Sequence, residues 1–282
     1  MKLPGPDYDA PAKLNLFLHV LGRRDDGYHQ LQTVFTLIDY ADRLRFRVRD
    51  DGAIDRVSAM EGVPPERDLA VRAALLLKEA SGTPLGADIE IDKRIPAGGA
   101  LGGGSSDAAT TLIVLDRLWG TGFGPEALAE LAGPLGADVP YFLFGVPAWA
   151  EGVGDRLRAI DLDPRWYLVL APPAAVPTAE VFAAPELTRN TEPLKMEDFS
   201  ARPRSKTFVN DLEPVVTARY PVVSEHLDWL RRRAPARMTG SGACVFAEFD
   251  SRERAQAVAD ELPAAMKGFV AQGLVQHPLL RQ

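Results

Sequence analysis

The sequence predicts a two-domain protein of the α+β class, and two observations carry that prediction. A strand pattern, a glycine-rich loop and a helix pattern follow one another between residues 87 and 119. A polar, proline-marked stretch from Asp161 to Pro164 then divides the chain into two parts, each with its own strand and helix patterns. We therefore predict one domain over residues 1–162 and a second over residues 163–282.

The composition is that of an ordinary globular protein. The chain has 282 residues, of which 46% are hydrophobic and 25% charged, and this length suffices for two domains. A net charge of −7 disfavours a general nucleic-acid binder. The single cysteine, Cys244, excludes an internal disulfide. Because no apolar run reaches the roughly 20 residues of a membrane span, we expect a soluble cytoplasmic protein.

The chain begins with alternating patterns that predict strands. Apolar and polar residues alternate from Ala12 to Val20, and Lys13 and Asn15 share one face of that strand. The turn-forming stretch Gly22 to Gly27 separates it from a second extended run, so a hairpin is expected. Arg43 to Arg49 alternates arginine with apolar residues, which predicts another strand whose arginines form a solvated face rather than a ligand site.

The next elements surround the glycine loop. Asp68 is placed to cap a helix, and residues 87–93 alternate like a strand. Beyond the loop, Ser105 and Ser106 are expected to cap a second helix, whose apolar residues recur at helical spacing. A further helix is expected from Pro125 to Leu135.

The loop between residues 96 and 106 is the strongest local indication of function. Five glycines occupy the seven positions from Gly98 to Gly104, and glycines this dense let backbone N–H groups approach a ligand. The helix N-terminus that follows adds further N–H donors and the positive end of the helix dipole. The segment therefore predicts an anion site suited to a phosphate chain. Its residues are Pro96, Ala97, Gly98, Gly99, Ala100, Leu101, Gly102, Gly103, Gly104, Ser105 and Ser106.

The loop differs from two common nucleotide-binding motifs. No lysine follows the glycines, so it is not a Walker A loop, and it does not match the dinucleotide pattern G-x-G-x-x-G. A flexible linker is the structural alternative. Linkers are seldom framed by a proline, a strand and a helix, which favours the phosphate site.

Asp138 is a candidate functional carboxylate. It lies in the turn Gly136 to Pro140, directly before the apolar run 141–144. An aspartate in such a turn is most simply a local cap. However, a carboxylate beside a buried segment is costly unless it is paired, and a lysine from another element would supply the partner.

The C-terminal part reads as strands and short helices around a proline-rich stretch, with five prolines between residues 172 and 193. Strands are expected at residues 166–171, 236–239, 243–249 and 269–275, and helices at residues 178–182, 211–219, 221–233 and 252–262. The glycine turn at residues 239–242 is as compatible with a plain tight turn as with a ligand contact. Cys244 is most simply a small buried residue.

Three segments, in this order, resemble the three motifs of the GHMP kinase superfamily, which phosphorylates small alcohols with ATP. They are residues 10–16, the glycine loop and residues 239–244. Four segments further resemble the members that act on a cytidine diphosphate-linked methylerythritol in non-mevalonate isoprenoid biosynthesis: residues 11–16, 24–29, 136–140 and 239–246. The resemblance covers essentially the whole chain. It implies an N-terminal domain like ribosomal protein S5 domain 2, a smaller α/β-sandwich C-terminal domain and an active site in the cleft between them.

The resemblance implies ATP and Mg²⁺ as cofactors and a catalytic pair of Lys13 and Asp138. Asp138 would accept the proton of the substrate hydroxyl as its oxygen attacks the γ-phosphorus, and Lys13 would hold that carboxylate ionised. The glycine loop would bind the ATP phosphates, with Ser105 or Ser106 near Mg²⁺. The acceptor would be a small molecule, with no nucleic acid or membrane involved.

Two points about the cofactor site stay open in the sequence. No carboxylate ligand of Mg²⁺ can be assigned, although Asp107 and Asp116 lie nearby in the chain. Ala100 stands where the superfamily usually has glycine, which puts the loop conformation in doubt only if that residue needs a positive φ.

The resemblance also implies substrate contacts. Asn15 would bond the diol, and Tyr28 and His29 would stack on and hydrogen-bond the cytosine. Pro177 and Phe182 would complete the cytidine pocket. The alternative for His29 is a structural histidine with satisfied hydrogen bonds.

Three other functions are compatible with parts of the sequence. A GHMP kinase for another alcohol, such as homoserine or a mevalonate derivative, is disfavoured by Tyr28 and His29. A non-catalytic binding protein on the same fold is disfavoured by the presence of both Lys13 and Asp138. An RNA-binding module related to the first domain is disfavoured by the net charge.

Overall fold

One long strand organises the N-terminal half of the computed structural model, which describes residues 3–60, 62–201 and 208–280. This strand, β2 (His29–Arg49), forms an antiparallel hairpin with β1 (Tyr8–Arg23). Its other edge pairs with three strands in turn, all antiparallel. These are β5 (Ala148–Gly152), β10 (Gly268–Leu274) and β4 (Gly86–Asp92).

The remaining strands extend the sheet, and nine α-helices lie among the described residues. The strands are β3 (Ile54–Arg56), β6 (Arg156–Ala159), β7 (Trp166–Leu170), β8 (Ala236–Met238) and β9 (Val245–Phe249). The helices are α1 (Leu69–Ser81), α2 (Gly103–Trp119), α3 (Gly124–Ala132), α4 (Val139–Phe144), α5 (Thr178–Ala183), α6 (Met196–Ala201), α7 (Glu213–Arg219), α8 (Pro221–Arg231) and α9 (Arg252–Ala259). The sequence did not predict β3, β5, β6, α4 or α6. None of the described helices is long and apolar enough to cross a membrane.

The predicted hairpin is confirmed, and so is the strand conformation predicted from Arg43 to Arg49, but these residues do not form a separate strand. Those residues are the last third of β2, because no glycine or proline interrupts the chain before them. The ladder instead shifts register between Pro11 and Ala12 of β1. The arginines of this segment pair with carboxylates on β4, as in the contact of Arg49 with Asp88 at 2.8 Å.

The N-termini of α1 and α2 are capped in different ways. The Asp68 side chain accepts a hydrogen bond from the backbone N–H of Ala70, which confirms the predicted cap of α1. The predicted serine cap of α2 is wrong. The helix begins at Gly103, with Gly102 in the left-handed region as its N-cap and no side-chain cap. Ser105 and Ser106 therefore lie in the first turn of the helix.

Apolar side chains form one cluster in each half and a third between them. In the N-terminal half, α1 and α2 cover the sheet, and in the C-terminal half, α7, α8 and α9 pack with β7 to β10. The third cluster joins Leu14 and Phe17 of β1 to Tyr167 and Phe246 of the second half. The sheet continues across the halves where β10 pairs with β2. The boundary predicted at residues 162 and 163 falls between β6 and β7 and stays a prediction.

Candidate active site

The glycine loop connects β4 to α2 and is bent through three residues with positive φ. These are Gly98 at 70°, Ala100 at 56° and Gly102 at 73°. The loop is tied to β1, because the backbone N–H of Lys13 donates to the carbonyl of Leu101 at 2.9 Å. The fold therefore fixes the loop beside the strand that carries Lys13.

Two loop glycines are required by close packing, and Gly102 is required by its positive φ as well. A Cβ at Gly99 would lie 2.5 Å from Sγ of Cys244, and a Cβ at Gly102 would lie 2.7 Å from Cζ of Phe142. Real side chains do not reach such distances without a shift of the neighbour. Cys244 belongs to the second half of the chain, so the loop packs directly against that half. Burial raises the pKa of the Cys244 thiol to about 12, and the predicted small buried residue is confirmed.

Ala100 does adopt the positive φ that the sequence left open. For a residue with a Cβ, the left-handed region costs roughly 1–2 kcal/mol. Its methyl group faces Gly240, since a Cβ there would lie 2.8 Å from that of Ala100. Ala100 lines two pockets beside the loop, one next to Lys13 and Asp138 and the other against the loop glycines. The strained residue therefore stands where the two pockets meet.

Lys13 and Asp138 come together from distant parts of the chain. Nζ of Lys13 lies 3.4 Å from Oδ2 of Asp138. The Lys13 side chain is 5% exposed and that of Asp138 36%, so the lysine is buried while the carboxylate opens to solvent. Asp138 precedes α4 without capping it, which excludes the local cap as its structural role. The carboxylate is therefore free to contact a ligand.

The Lys13 ammonium is held by two further groups on the same side of the sheet. It donates to Oδ1 of Asn15 at 2.7 Å and lies 5.1 Å from the centre of the Phe35 ring. Asn15 in turn donates through Nδ2 to Oγ1 of Thr33, and its backbone N–H donates to Oγ1 of Thr239, both at 2.9 Å. The predicted shared face of Lys13 and Asn15 is thus confirmed.

A cleft of about 330 Å³ opens next to this pair and is lined by both halves of the chain. Its walls include Lys13, Asp138, Ser105, Phe182 and Ser241. A second pocket, of about 270 Å³, lies against the glycine loop and is lined by apolar residues and by several charged ones, Lys93 among them. The lining residues of the second pocket are Met60, Val63, Arg67, Asp68, Leu69, Lys93, Ile95, residues 96–104 and Asp107.

The residues predicted to contact the cytosine differ in their exposure to solvent. His29 is 9% exposed, and its ring stacks on Phe182 with centroids 5.0 Å apart and planes 28° apart. Pro177 is the residue before α5, the helix that carries Phe182. Tyr28 is 66% exposed at the hairpin turn. The fold therefore stacks His29 on Phe182, places Pro177 at the start of the helix that carries Phe182, and leaves the Tyr28 ring at the surface.

His29 is held by Arg189, a residue that the sequence did not single out. Nε of Arg189 donates to Nε2 of His29 at 3.1 Å. Burial, followed by the positive charges of Arg189 and Arg23, lowers the pKa of His29 below its ordinary value. A single arginine in a loop carries no sequence signal of such a contact.

The two carboxylates considered for Mg²⁺ are not equivalent. Oδ1 of Asp116 accepts hydrogen bonds from Oγ1 of Thr121 at 2.5 Å and from the N–H of Phe123 at 2.9 Å, so it stabilises the turn after α2. That end of α2 is about 20 Å from the glycine loop at the usual helical rise. Asp107 lies in the first turn of α2, and its Oδ1 is buried without a hydrogen-bond partner among the described residues.

Asp107 belongs to a buried charge cluster beneath the loop. Nζ of Lys93 lies 2.8 Å from Oδ2 of Asp107 and also contacts Oδ2 of Asp42. Asp42 additionally accepts the backbone N–H groups of Arg94 and Ile95. Burial raises the pKa of the Asp107 carboxyl to about 7, although the neighbouring Lys93 ammonium acts to lower it. Burial would lower the pKa of Lys93, but the two carboxylates raise it overall.

The sequence did not single out several residues around the cleft and the second pocket. Phe35 lies within an apolar run, so its position under the Lys13 ammonium could not be predicted. Lys93 stands just before the loop, and a lysine beside a predicted phosphate site could have been noticed. Thr33 and Thr239 act through hydrogen bonds between distant segments, which the sequence does not show.

Comparison with known families and proteins gives a consistent result. Residues 68–146 match the GHMP kinases N-terminal domain, and residues 186–268 match the GHMP kinases C-terminal domain. A 4-diphosphocytidyl-2-C-methyl-D-erythritol kinase of Aromatoleum aromaticum is 57% identical over 273 residues, which cover 97% of this chain and 95% of that protein. The chain belongs to this kinase family, within the GHMP kinases.

Other members of the 4-diphosphocytidyl-2-C-methyl-D-erythritol kinase family are similarly related. The kinase of Nitrosospira multiformis is 59% identical over 273 residues, 96% of this chain and 92% of that protein. A crystal structure of a 4-(cytidine 5′-diphospho)-2C-methyl-D-erythritol kinase matches with a TM-score of 0.84 and 36% identity, over 95% of this chain and 99% of that one.

More distant solved structures share the fold. A homoserine kinase from Cytophaga hutchinsonii matches with a TM-score of 0.69 and 17% identity, over 98% of this chain and 97% of that one. A mevalonate kinase from Methanococcus jannaschii matches with a TM-score of 0.68 and 14% identity, over 97% of this chain and all of that one. These likenesses bear out the predicted GHMP kinase fold, and the family membership makes the protein an ATP-dependent kinase.

Proposed function

We propose that the protein transfers the γ-phosphoryl group of ATP to the 2-hydroxyl of 4-diphosphocytidyl-2-C-methyl-D-erythritol, giving the 2-phosphate and ADP. The observation that carries the proposal is the Lys13–Asp138 pair, at 3.4 Å, in a cleft beside the glycine loop. The kinase family supports the same acceptor over homoserine and mevalonate. The reaction belongs to non-mevalonate isoprenoid precursor biosynthesis, and we place it in the cytoplasm.

The glycine loop is the proposed phosphate site. The conformations of Gly98, Ala100 and Gly102 turn the loop backbone around one side of the second pocket. Its N–H groups and the N-terminus of α2 supply donors to a phosphate chain. We assign the base and ribose of ATP to that pocket, whose apolar residues include Leu69 and Ile95.

We assign Mg²⁺ to the ATP phosphates, with Ser105 as the adjoining protein oxygen. The described residues contain no group of three histidine, cysteine or carboxylate side chains that could hold a metal by themselves, which fits an ion bound mainly through substrate phosphates. Ser105 lines the catalytic cleft, whereas Asp107 is engaged by Lys93. When bound, Mg²⁺ neutralises charge on the transferred phosphoryl group.

Asp138 is the proposed general base, and Lys13 its electrostatic partner. The acceptor carbon carries a methyl group, so its hydroxyl is tertiary and crowded, and correct placement against the γ-phosphorus matters greatly. The half-exposed carboxylate can accept the hydroxyl proton as the new O–P bond forms. The ammonium, fixed by Asn15 and Phe35, stabilises the ionised carboxylate before the transfer.

The cytidine end of the acceptor is assigned to the part of the cleft near α5. Phe182 lines the cleft, and His29 and Pro177 lie beside it. Tyr28, exposed at the hairpin turn, is free to close over a bound base. Asn15 is assigned to the diol, next to the reacting hydroxyl.

The position of the new phosphate tests the proposal. The protein is incubated with Mg-ATP and 4-diphosphocytidyl-2-C-methyl-D-erythritol, and the product is examined by proton-coupled ³¹P NMR. A phosphate ester on the tertiary carbon has no proton on the bonded carbon, so its resonance is expected to lack the splitting of a primary or secondary ester. A split resonance would contradict the proposed acceptor hydroxyl. The sample without the acceptor serves as the control.

A further inference from the structure

Arg189 has a structural position that the proposed reaction does not explain. Its guanidinium is fixed by three backbone carbonyls at the end of α5: those of Phe182 at 2.8 Å, Ala184 at 2.7 Å and Leu187 at 3.1 Å. The Nε–H of the same guanidinium donates to Nε2 of His29 at 3.1 Å. The arginine therefore connects the helix that carries Phe182 to the histidine that stacks on it.

This hydrogen bond determines which nitrogen of His29 carries the proton. A guanidinium has only donors and stays protonated in proteins, so Nε2 of His29 must accept. In a neutral imidazole the other nitrogen then carries the hydrogen, which makes Nδ1 a donor. In the charged imidazolium, Nε2 would also carry a hydrogen, which would point at the Arg189 N–H. The arginine therefore favours the neutral ring. Burial first, and then the positive charges of Arg189 and Arg23, lower the pKa of His29.

We propose that Arg189 is a positioning residue that fixes His29 as the Nδ1–H tautomer and thereby selects a pyrimidine with a hydrogen-bond acceptor at N3. Cytosine has a lone pair at N3, whereas uracil carries a hydrogen there. A donor fixed at Nδ1 therefore pairs with cytosine and opposes uracil. The selection of cytosine rests on the proposed function, but the tautomer does not.

The ring is fixed in two independent ways. Stacking on Phe182 sets the plane of the imidazole, with the two planes 28° apart. The Arg189 hydrogen bond sets the direction of the ring within that plane. Because only 9% of His29 is exposed, water cannot easily replace Arg189 as the partner of Nε2. The loss of Arg189 should therefore change the hydrogen-bonding character of the ring rather than simply loosen it.

The first test is the tautomer in the ligand-free protein. The chain has four histidines, so long-range ¹H–¹⁵N correlation spectra of ¹⁵N-histidine-labelled protein are simple, and His29→Gln assigns the resonance by its loss. We expect a protonated Nδ1 and an unprotonated Nε2 for His29. A protonated Nε2 would overturn the proposal, whether or not the protein is active.

The second test measures base selection in Arg189→Met and Arg189→Lys. For the wild type we expect the cytidine substrate to be preferred over its uridine analogue by at least about tenfold in kcat/KM. In Arg189→Met, KM for the cytidine substrate should rise about tenfold with kcat nearly unchanged, and the preference should fall to within about threefold. Arg189→Lys keeps a donor to Nε2 and should recover part of the preference.

A matched arginine separates base selection from general loss of structure. Arg219 pairs with Glu186 at 2.7 Å, near the same loop but away from His29. Arg219→Met should keep the wild-type preference and tautomer. An unchanged preference in Arg189→Met would overturn the proposal. If the wild type fails to phosphorylate the cytidine compound at all, the proposed function fails, while the spectra still decide the tautomer.

Discussion

At the residue scale, the candidate site consists of polar groups that segments far apart in the chain hold in place. Lys13 is fixed by Asn15 and Phe35, Asp138 by its place before α4, and His29 by Arg189. Such fixed groups are suited to phosphoryl transfer, which depends on positioning and on charge stabilisation. Single substitutions at these positions should therefore alter individual kinetic constants.

Asp138→Asn tests the general base. The amide keeps the size of the carboxylate but cannot accept the hydroxyl proton, so kcat should fall by about 100-fold or more, with the KM for ATP nearly unchanged. Steady-state ADP release gives both constants. Asp116→Asn, at the far end of α2, is the matched control and should leave kcat within about twofold. Equal turnover of Asp138→Asn and the wild type would remove Asp138 from the chemistry.

Ala100→Gly tests the strain at the loop. Ala100 holds a φ of 56°, which glycine adopts without a Cβ penalty. Relief of the strain should raise the free energy of unfolding, and the greater freedom of glycine in the unfolded chain should lower it. We expect a net rise of up to about 1 kcal/mol. Ala100→Val should lower it by more than about 1 kcal/mol. Urea denaturation measures both, and a more stable valine variant would show that the position is unstrained.

Residue chemistry was more predictable from the sequence than residue partners. Lys13 and Asn15 could be placed together because a strand alternates its faces with a period of two. The pairing of Lys13 with Asp138 depends on elements more than a hundred residues apart, and only a resemblance to a family suggested it. Arg189 lies in an irregular loop, so no periodicity could connect it to His29.

At the element scale, the glycine loop acts as a joint between the two halves of the chain. Gly99 packs on Cys244, and the N–H of Ala243 donates to the carbonyl of Gly98 at 3.3 Å. The loop contacts β1 through the Lys13–Leu101 hydrogen bond. The two glycine-containing segments that the sequence singled out separately therefore form one packed unit.

Gly99→Ala should disrupt that unit. The added methyl group would lie 2.5 Å from Sγ of Cys244, so the free energy of unfolding should fall by about 1–3 kcal/mol. Cys244→Ala removes the sulfur, and the cost of Gly99→Ala should be smaller by at least about 1 kcal/mol in that background. Gly104→Ala is the control, because its methyl group would meet only Leu69 at 3.6 Å. Additive effects of the two substitutions would contradict the contact.

Element type was predicted better than element boundaries. The strands and helices with clear periodicity were found, as with α1 and its Asp68 cap. The predicted start of α2 at the serines is wrong, because Gly102, in the left-handed region, is the residue that precedes the helix. The sequence predicts two strands where β2 is continuous, because Asp39 and Asp42 interrupt the apolar pattern between Ile38 and Leu44. The short strands β3, β5 and β6 depend on pairing with distant partners.

At the scale of the whole molecule, the fold contains a buried acid whose titration changes the stability. The pKa of Asp107, about 7, lies above that of an unfolded chain, near 4. Between these values the folded protein holds a proton that the unfolded chain has released. The free energy of unfolding should therefore decrease as the pH rises from 5 to 8.

Asp107→Asn tests this linkage. The amide cannot ionise, so the variant should lose clearly less stability than the wild type between pH 5 and pH 8. Urea denaturation at several pH values gives the two slopes. Asp116→Asn, on the same helix, should keep the wild-type slope. Parallel slopes for the wild type and Asp107→Asn would show that Asp107 is already ionised at low pH in the folded protein.

The central claim concerns both halves of the molecule, because the acceptor cleft is lined by residues of each. The measurement that tests it most directly is ADP release by the purified protein with Mg-ATP and different acceptors. We predict turnover with 4-diphosphocytidyl-2-C-methyl-D-erythritol and only the background rate with homoserine, mevalonate or no acceptor. Turnover with another alcohol, or none with the cytidine compound despite ATP binding, would contradict the claim.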